Sequence, residues 1–477
     1  MKIYGRAKEE IIRGVKSGRV SIAVFGLGKI GLPLSTIFAN KGASVIGVDI
    51  NEEVVHEINK GRNPIEGEPG LNELVERAVS ARRLKATTDG RYAARKADVM
   101  IIVVPTLIDD KKNIDLSAIE DVCGSIASGL ERGDFVITES TLPPGTTKKV
   151  IIPILERSGL KLGEFGVAHC PERVSSGRAI EDITRAYPKI VGGADEKSTE
   201  TAKALYSVIN ERGVIAVSDA TTAEAVKVFE GVYRDVNIAL ANQLAIVCEE
   251  LGIDALEAFK AANTQPFCHI HAPGCGVGGH CIPVYPYFII KTVNCDTSML
   301  EVARMINDDM PRRTVEKLLK ILYADGVLER GDYGEEGTGE GMNVGTVRKK
   351  EKEEEEGKLR VLVLGLTFRG DVKETRFSPS LEIIRILRDE LNAEVFAYDP
   401  LLSREEVEEF ATYMHPEKAH DLDAVVIATD HKSFKEIDWD AFGERMRHKI
   451  VIDGRNLIEK AEELRKKGFK YAGIGRI

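Results

Sequence analysis

The sequence lacks an uninterrupted apolar run of about eighteen residues, the length that a membrane-spanning helix needs. Its first residues, Met1-Lys2-Ile3-Tyr4-Gly5-Arg6, reach charged side chains at once, unlike the apolar core of a signal peptide. Both features predict a cytoplasmic protein with no membrane partner.

Excess positive charge is also lacking, because 66 Lys and Arg residues stand against 76 Asp and Glu residues and the net charge is −10. Nucleic acids are bound by clustered Lys and Arg, so no nucleic-acid partner is expected. The seven cysteines, an odd number scattered over 477 residues, favour reduced thiols over a disulfide framework. A chain of this length exceeds what one hydrophobic core supports and predicts two or three domains.

Short apolar runs alternate with segments of helical length through the first ~200 residues. The runs are residues 20–25, 44–49, 98–104, 134–139, 166–170 and 189–193. This alternation predicts a parallel sheet covered by helices on both faces, in a domain at 1–208.

The pattern changes at residues 219–251 to that of one long helix, and Thr221-x-x-Glu224 matches a capping box at its start. This segment predicts a helical central domain at 209–326. Residues 327–358 hold many Gly and charged residues and almost nothing to bury, which predicts a charged insertion or linker.

The C-terminal part repeats the order of the N-terminal part. An apolar run at 359–365 is followed by a helical segment from about Pro379 and a second run at 393–399. The sequence therefore predicts an α/β protein with two Rossmann-like doubly wound domains, at 1–208 and 359–477, joined by a helical domain with one long central helix.

The segment Gly26-Leu27-Gly28-Lys29-Ile30-Gly31 follows a predicted strand and opens a predicted helix. Glycines at this spacing permit a tight turn and close approach to a pyrophosphate, which the helix N-terminus attracts. Asp49 ends the next predicted strand, where a carboxylate accepts hydrogen bonds from a ribose 2′-hydroxyl and repels a 2′-phosphate. These residues predict an NAD site in the first domain.

The corresponding segment of the C-terminal domain, Gly365-Leu366-Thr367-Phe368-Arg369-Gly370, lacks this fingerprint. Bulky side chains stand where a dinucleotide needs close approach. The domain is therefore expected to hold a smaller or differently placed ligand, or to be a purely structural duplicate.

Three polar clusters follow predicted strands, at residues 104–106, 139–146 and 169–173. Each one by itself also fits a turn with a capping hydroxyl. Ligands of parallel sheets collect outside the carboxyl ends of the strands, so three such clusters together predict one crevice beside the nicotinamide.

The loop at 273–283, Pro-Gly-Cys-Gly-Val-Gly-Gly-His-Cys-Ile-Pro, is the most unusual segment. Its glycines would expose backbone amides beside Cys281, whose thiolate can attack an aldehyde. Two alternatives stay open, namely small buried thiols and a zinc site, although no C-x2-C pair is present. The possible zinc ligands are Cys268, His269, His271, Cys275, His280 and Cys281.

On the long helix, Lys227, Gly231, Arg234 and Ile238 recur at steps of four, three and four residues and so share one face. Two cations on a stripe whose other side chains are small and apolar would suit the binding of an anion or an alkoxide. Two solvated cations on an outer face are the alternative.

Together these motifs resemble the UDP-glucose and UDP-N-acetylmannosamine dehydrogenase family, from residue 20 to the end of the chain. Members oxidise C6 of a nucleotide sugar from alcohol to carboxylate with two NAD in turn. The motifs that carry the resemblance are Gly26-x-Gly28-x-x-Gly31, Val104-Pro105-Thr106, Glu139-Ser140-Thr141, Cys170-Pro171-Glu172-Arg173-Val174, Tyr233-Arg234-Asp235-Val236-Asn237-Ile238-Ala239, Gly278-Gly279-His280-Cys281 and Asp453-Gly454-Arg455-Asn456.

The resemblance implies a role for each matching residue. Cys281 would be the nucleophile that forms a thiohemiacetal and then a thioester. Glu172 would help a water molecule hydrolyse the thioester, and Lys227 would stabilise the oxyanion or polarise the C6 hydroxyl. Thr106 and Thr141 would position cofactor, substrate or water.

The resemblance also implies a set of substrate contacts in the first and central domains. They are Glu172, Arg173, Lys227, Arg234, Asn237, Gly278 and Gly279. The C-terminal domain would hold the uridine diphosphate, with Arg455 as a contact, and this would explain its missing fingerprint. The long helix would pair subunits into a homodimer or a larger homo-oligomer through residues such as Ile238, Leu240, Leu244 and Val247.

Two positions depart from the family pattern. Gly231 stands where many relatives have Asn, and Tyr285 stands where many have Asp. These departures put in doubt one oxyanion donor and one proton-transfer role, respectively. The Pro-Glu-Arg-Val and Arg-Asp-Val-Asn-Ile-Ala segments look most like the N-acetylmannosamine branch, whose product serves polysaccharide or glycan synthesis; glucose, N-acetylglucosamine and N-acetylgalactosamine remain alternative sugars.

Two other functions remain open from the sequence. A single-step hydroxyacid dehydrogenase also joins a nucleotide fold to a helical domain, and it would not need Cys281. A zinc-bearing scaffold or nucleotide sensor would use the crowded Cys and His residues without turnover.

Overall fold

The computed structural model describes residues 1–109, 111–175, 177–328 and 358–476. They fall into two compact units, of which the first comprises 1–231 and 287–295 and the second comprises the described residues of 232–286 and 296–477. The predicted linker at 327–358 lies, apart from residues 327, 328 and 358, outside the described residues. The predicted domain boundaries stay a prediction.

The first unit contains an eight-stranded sheet and a small hairpin. Its strands are β1 (Ser21–Phe25), β2 (Ser44–Val48), β3 (Leu84–Thr87), β4 (Val99–Ile102), β5 (Leu107–Ile108), β6 (Ile114–Asp115), β7 (Phe135–Thr138), β8 (Gly166–His169), β9 (Lys189–Gly193) and β10 (Val214–Ala216). The order across the sheet is β10-β9-β8-β7-β4-β1-β2-β3, and β5 pairs with β6.

The expected all-parallel sheet is wrong at one pair, because β8 and β9 run antiparallel. The other neighbours in the sheet, from β8 to β3 and between β9 and β10, are parallel. A buried apolar run shows that a strand is present but does not show its direction, and antiparallel edge strands are common on such sheets.

Helices cover both faces of this sheet. They are α1 (Lys8–Lys16), α2 (Gly31–Asn40), α3 (Glu52–Asn59), α4 (Leu71–Ser80), α5 (Gly90–Lys96), α6 (Ser117–Ala127), α7 (Ile152–Leu155), α8 (Ala179–Glu181) and α9 (Glu196–Tyr206). Along β1, Ile22 and Val24 enter one hydrophobic cluster, whereas Ala23 and Phe25 enter another. Since successive side chains of a strand point to opposite faces, the sheet is buried on both sides.

The helical segment that follows contains α10 (Ala220–Leu251), α11 (Ala255–Ala262), α12 (Tyr285–Ile290) and α13 (Ser298–Ala324). The long helix α10 confirms the predicted central helix, but the predicted capping box is wrong. Asp219 Oδ1 accepts a hydrogen bond from Thr222 N at 2.7 Å, and Glu224 bonds Thr147 instead. Asp219 is a strong capping residue directly before the helix, which leaves Glu224 to a tertiary contact.

The second unit contains a six-stranded sheet made of β11 (Arg360–Leu364), β12 (Glu394–Tyr398), β13 (Thr412–Tyr413), β14 (Ala424–Ile427), β15 (Ile450–Asp453) and β16 (Lys470–Gly473). Its helices are α14 (Pro379–Arg385), α15 (Arg404–Glu408), α16 (Trp439–Gly443) and α17 (Ala461–Lys466). The order β13-β12-β11-β14-β15-β16, with parallel pairs throughout, is that of a dinucleotide-binding fold.

Both faces of this second sheet are also buried, because Val361 and Val363 of β11 enter one hydrophobic cluster and Leu362 and Leu364 another. The predicted α/β class, with two Rossmann-like doubly wound folds and a helical region, is therefore confirmed. None of the described helices is long and apolar enough to cross a membrane.

Candidate active site

The first glycine loop connects β1 to α2 and is shaped by close backbone contacts. Gly26 has a φ of +95°, and a Cβ added to it would lie 2.3 Å from the Val103 carbonyl oxygen. A Cβ on Gly31 would lie 1.8 Å from the Gly26 oxygen, whereas one on Gly28 would meet nothing within 4 Å. Gly26 and Gly31 therefore make the turn, and the backbone at Gly28 is open to a close ligand, as a bound pyrophosphate requires.

Asp49, directly after β2, anchors this loop. Its Oδ2 accepts a hydrogen bond from Leu27 N at 2.8 Å, and its Oδ1 accepts one from Asn51 N at 3.0 Å. A carboxylate has about four acceptor positions, so two remain for the hydroxyls of a ribose. Lys29 is exposed, and Ile30 directly precedes α2. The loop is therefore open at Gly28 and leads straight into the helix N-terminus, as a dinucleotide site requires.

In the second fold, Asp399 occupies the equivalent position after β12. Its Oδ2 accepts hydrogen bonds from Leu366 N at 2.8 Å and Thr367 N at 3.0 Å, and it lies 3.0 Å from His431 Nε2. Burial would raise the pKa of Asp399, but the hydrogen bond and charge of His431 and the loop amides lower it to about 2. Asp399 is buried, and its carboxylate is occupied by hydrogen bonds within the protein. It is therefore not available to a ribose, which is a physical reason why this fold lacks the dinucleotide fingerprint.

At the end of β8, Glu172 pairs with Lys227 of α10. Lys227 Nζ lies 3.0 Å from Glu172 Oε1, and their side chains are only 6% and 9% exposed. Glu172 Oε2 accepts a second hydrogen bond from Val174 N at 2.8 Å. The structure thus brings together two of the predicted catalytic residues, as a buried ion pair.

Arg173 lies beside this pair and is also engaged. Its Nε lies 2.7 Å from Glu230 Oε1, and its guanidinium stacks over the Tyr187 ring at 4.9 Å. The side chain therefore faces α10, the same helix that carries Lys227.

The hydroxyl residues after β4 and β7 form the next part of this edge. Ser140 Oγ donates to Val104 O at 2.7 Å and so joins the two strand ends. Thr106 Oγ1 is buried and has no hydrogen-bond partner within the described residues, whereas Thr141 is half-buried. A buried hydroxyl without a partner costs about 1–3 kcal/mol, which a ligand can offset.

Glu139, in the same segment, has a structural contact. It is buried, lies 2.8 Å from Lys189 Nζ of β9 and accepts a hydrogen bond from the hydroxyl of Tyr206. This carboxylate ties the sheet to α9.

Glu224 is a buried residue that the sequence did not single out for this edge. Its carboxylate accepts hydrogen bonds from Gly145 N at 2.5 Å, Thr147 N at 2.7 Å and Thr147 Oγ1 at 2.6 Å. Burial raises its pKa to about 7, against the lowering effect of these donors. Glu224 therefore holds α10, and with it Lys227, against the segment after β7. In the sequence, this contact was indicated only by the presence of an acidic residue on a mostly apolar face of the helix.

In the second unit, the glycine loop that carries Cys281 packs against the second nucleotide fold. Gly279 has a φ of +84°, and a Cβ on it would lie 2.9 Å from the Phe368 ring. A Cβ on Gly278 would lie 2.7 Å from both Phe368 and the Phe377 carbonyl oxygen. These glycines are required by packing, and the Gly279 amide already donates to Arg376 O at 2.9 Å.

The thiols of this loop differ in exposure. Cys275 is fully buried, with its Sγ 3.4 Å from Ala428 O, and fits the description of a small buried residue. Cys281 is only half-buried. Within the described ranges, no three His, Cys, Asp or Glu side chains are grouped so as to hold a metal ion.

Arg455 holds the loop to the second fold. Its Nε donates to Ala428 O at 2.9 Å and its Nη1 to Gly276 O at 3.1 Å. Asn237 of α10 likewise holds the segment just before this loop, because its side chain donates a hydrogen bond to His269 O and accepts one from His271 N. Arg234 is exposed on the same helix.

The predicted site residues thus form two groups, one in each unit. Glu172, Arg173 and Lys227 lie together in the first unit, which also carries the dinucleotide loop, whereas Cys281 and Arg455 belong to the second. The roles of these residues, and any approach of Cys281 to the nicotinamide, stay predictions.

Comparison with known proteins identifies three matching domains of one family. The family described as UDP-glucose/GDP-mannose dehydrogenase matches with its NAD binding domain at residues 20–210, its central domain at 221–309 and its UDP binding domain at 362–460.

Individual relatives match over nearly the whole chain. A UDP-N-acetyl-D-mannosamine dehydrogenase of Pyrococcus horikoshii is 39% identical over 459 residues, which cover 95% of this chain and 99% of the relative. A solved structure of a UDP-D-ManNAc dehydrogenase from Pyrococcus horikoshii has a TM-score of 0.83 at 37% identity and covers 96% of this chain and 99% of its own. An NDP-N-acetyl-D-galactosaminuronic acid dehydrogenase of Ralstonia nicotianae is 34% identical over 447 residues, 92% of this chain and 96% of the relative. This chain therefore belongs to the UDP-glucose/GDP-mannose dehydrogenase family and is an NAD-dependent nucleotide-sugar dehydrogenase whose substrate is a UDP-sugar.

Proposed function

We propose that this enzyme oxidises C6 of UDP-N-acetyl-D-mannosamine to UDP-N-acetyl-D-mannosaminuronate in two NAD-dependent steps. The sugar is supported by relatives that carry this substrate in their names, and the chemistry is supported chiefly by the buried Lys227–Glu172 pair. NAD, held by the Gly26–Gly31 loop and Asp49, would supply the hydride acceptor for each of the two oxidations. A buried ammonium beside a carboxylate offers a cation for a developing alkoxide and a base for water in one place.

The protein residues would act in the following order. Lys227 stabilises the C6 oxygen as its proton passes to water and the aldehyde forms. The Cys281 sulfur then adds to the aldehyde carbon, and the second oxidation turns this thiohemiacetal into a thioester. Glu172 takes one proton from water, the water oxygen adds to the thioester carbon, and the C–S bond breaks to release the C6 carboxyl group and the Cys281 thiolate.

Other residues would hold the reactants. The Gly26–Gly31 loop and Asp49 hold the dinucleotide, and the buried Thr106 hydroxyl and Thr141 position cofactor, substrate or water. Arg173, Arg234, Asn237, Gly278, Gly279 and Arg455 are the remaining substrate contacts that we propose. The product is a sugar activated by UDP, so its use as a glycosyl donor in polysaccharide or glycan synthesis follows from its chemistry.

A substrate panel tests the sugar identity. The enzyme is incubated with NAD and limiting UDP-N-acetylmannosamine, UDP-N-acetylglucosamine, UDP-N-acetylgalactosamine or UDP-glucose, and NADH and uronate are measured. We expect the highest kcat/KM with UDP-N-acetylmannosamine and two NADH for each sugar consumed. A higher kcat/KM with another of these sugars would overturn the sugar assignment, and one NADH with an aldehyde product would overturn the four-electron reaction.

We also propose a homodimer formed through α10. One stripe of this helix exposes large apolar side chains at heptad-like spacing. Its members are Phe229, Tyr233, Leu240, Val247 and Leu251. The predicted contacts Ile238 and Leu244 are half-buried and lie beside this stripe.

The oligomeric state in solution tests this proposal. Sedimentation equilibrium should give twice the chain mass of 52.4 kDa. A Leu240→Glu/Val247→Glu variant should sediment as a monomer with unchanged helix content by circular dichroism. A monomeric wild-type protein would contradict the proposal.

A further inference from the structure

His280, the residue directly before Cys281, has a carboxylate partner that is distant in the sequence. Its Nδ1 lies 3.0 Å from Glu374 Oε1, across a separation of 94 residues. The imidazole is 50% exposed, whereas the Glu374 side chain is 17% exposed. A partly exposed ring is therefore fixed by a largely buried carboxylate.

The segment that carries Glu374 is packed against the loop on which His280 stands. The Gly279 amide donates to Arg376 O at 2.9 Å, and a Cβ added to Gly279 would lie 2.9 Å from the Phe368 ring. Two other charged side chains of this segment have partners elsewhere, because Asp371 pairs with Lys432 at 3.1 Å and Lys373 with Glu406 at 2.9 Å. The backbone contacts thus hold Glu374 in register with the imidazole.

The adjacent Cys281 side chain also acts on the imidazole. Its effect, together with the hydrogen bond to Glu374, raises the pKa of His280 to about 10, against the opposing effect of burial. At neutral pH the ring is therefore an imidazolium that interacts with the Glu374 carboxylate and the Cys281 side chain. A cation beside a cysteine stabilises the thiolate over the thiol.

We propose that His280, held by Glu374, is a positioning residue that keeps Cys281 as a thiolate, with the proton of its S–H group residing on the imidazole. The consequence for turnover rests on the proposed function, because the thiolate is the form that adds to an aldehyde carbon. The charge state of Cys281 itself can be measured without any substrate.

Alkylation by iodoacetamide tests the proposal. The rate is measured from about pH 5 to about pH 10, and the peptide that contains Cys281 is followed by mass spectrometry. The readout is the midpoint of the pH–rate profile rather than the rate at one pH. A thiolate of lower pKa is more abundant but also a weaker nucleophile, and these two effects on the alkylation rate partly cancel. The exposed Cys295 serves as a reference in the same digest.

We expect the wild-type midpoint at least about one pH unit below the ordinary cysteine value of about 8.5. His280→Gln should move it to about 8.5 or above, and His280→Lys, which restores a cation, should bring it down again. His269→Gln is the matched control, because His269 is an exposed histidine of the same segment that contacts Asn237 through its backbone oxygen. This control should leave the midpoint unchanged.

A wild-type midpoint at or above about 8.5, or an unchanged midpoint in His280→Gln, overturns the proposal. Failure of His280→Lys to lower the midpoint again also overturns it, since an imidazole needed only for packing is not replaced by lysine. A low midpoint in an enzyme that oxidises no UDP-sugar would instead overturn the proposed function and leave the thiolate assignment standing. The substrate panel and the alkylation profile therefore separate the two failures.

Discussion

Lys227 Nζ lies 3.0 Å from Glu172 Oε1 inside the first unit, in a pair that solvent barely reaches. Lys227→Met would leave the Glu172 carboxylate buried without its counter-charge, which costs about 3–5 kcal/mol of unfolding free energy. Adding Glu172→Gln to that variant should recover part of the loss, because the uncompensated charge is gone. Urea unfolding of the two variants and of wild type measures this coupling.

The exposed pair Lys460–Glu463 provides the matched control. Lys460→Met should change the unfolding free energy by less than about 1 kcal/mol, since exposed ion pairs contribute little. An equally small effect for Lys227→Met would show that Glu172 is not held by Lys227.

Asp49 should govern the choice between NAD and NADP. Asp49→Asn removes the charge that repels a 2′-phosphate and weakens the acceptor for the ribose, so NADH binding should weaken by about 10- to 100-fold while NADPH binding improves. Fluorescence titration of both reduced dinucleotides measures the ratio of their Kd values. Asp399→Asn, which alters the equivalent carboxylate of the second fold, should leave the ratio as in wild type. An unchanged ratio in Asp49→Asn would remove the ribose role of Asp49.

His169 should make the protein less stable in acid. Burial and, secondarily, the charge of Lys189 lower its pKa to about 3. The unfolded chain takes up a proton below about pH 6.5 and the folded chain does not, so this contribution is complete above pH 6.5 and is lost at about 1.4 kcal/mol per pH unit as the pH falls towards 3. Between about pH 7.5 and about pH 5.5, wild type should lose about 1.4 kcal/mol more than His169→Gln does.

Urea unfolding at the two pH values checks this difference, with His420→Gln as the control because His420 is exposed. Equal pH dependence in wild type and His169→Gln would mean that the His169 ring is already protonated in the folded protein.

Local patterns predicted the features that are local in origin. The Gly26–Gly31 turn depends on contacts among neighbouring backbone atoms, and the strands are short apolar runs, so both could be recognised from the sequence. The repeat at 359–399 predicted the second fold for the same reason. The direction of β9 could not be predicted, because the apolar run at 189–193 has the same composition in either orientation.

The remaining differences between the predicted and the observed features come from contacts between residues that are distant in the sequence. Glu224 matched a local capping pattern, but its carboxylate bonds Thr147, which is 77 residues away in the chain. The sequence presented His280 as a possible zinc ligand, and only the fold places Glu374 on its imidazole. The glycines of the Cys281 loop were expected to expose amides, yet the Gly279 amide is used by Arg376 O, a partner that sequence spacing does not indicate.

The role of the Cys281 sulfur is measured directly by comparing Cys281→Ser with wild type for uronate formed from UDP-N-acetylmannosamine and NAD. We expect the rate of uronate formation to fall by at least about a thousandfold in Cys281→Ser, because no thioester can form. Cys268→Ser, in the same segment and also not fully buried, should retain wild-type turnover. Uronate formation by Cys281→Ser at close to the wild-type rate would show that the oxidation does not proceed through this sulfur.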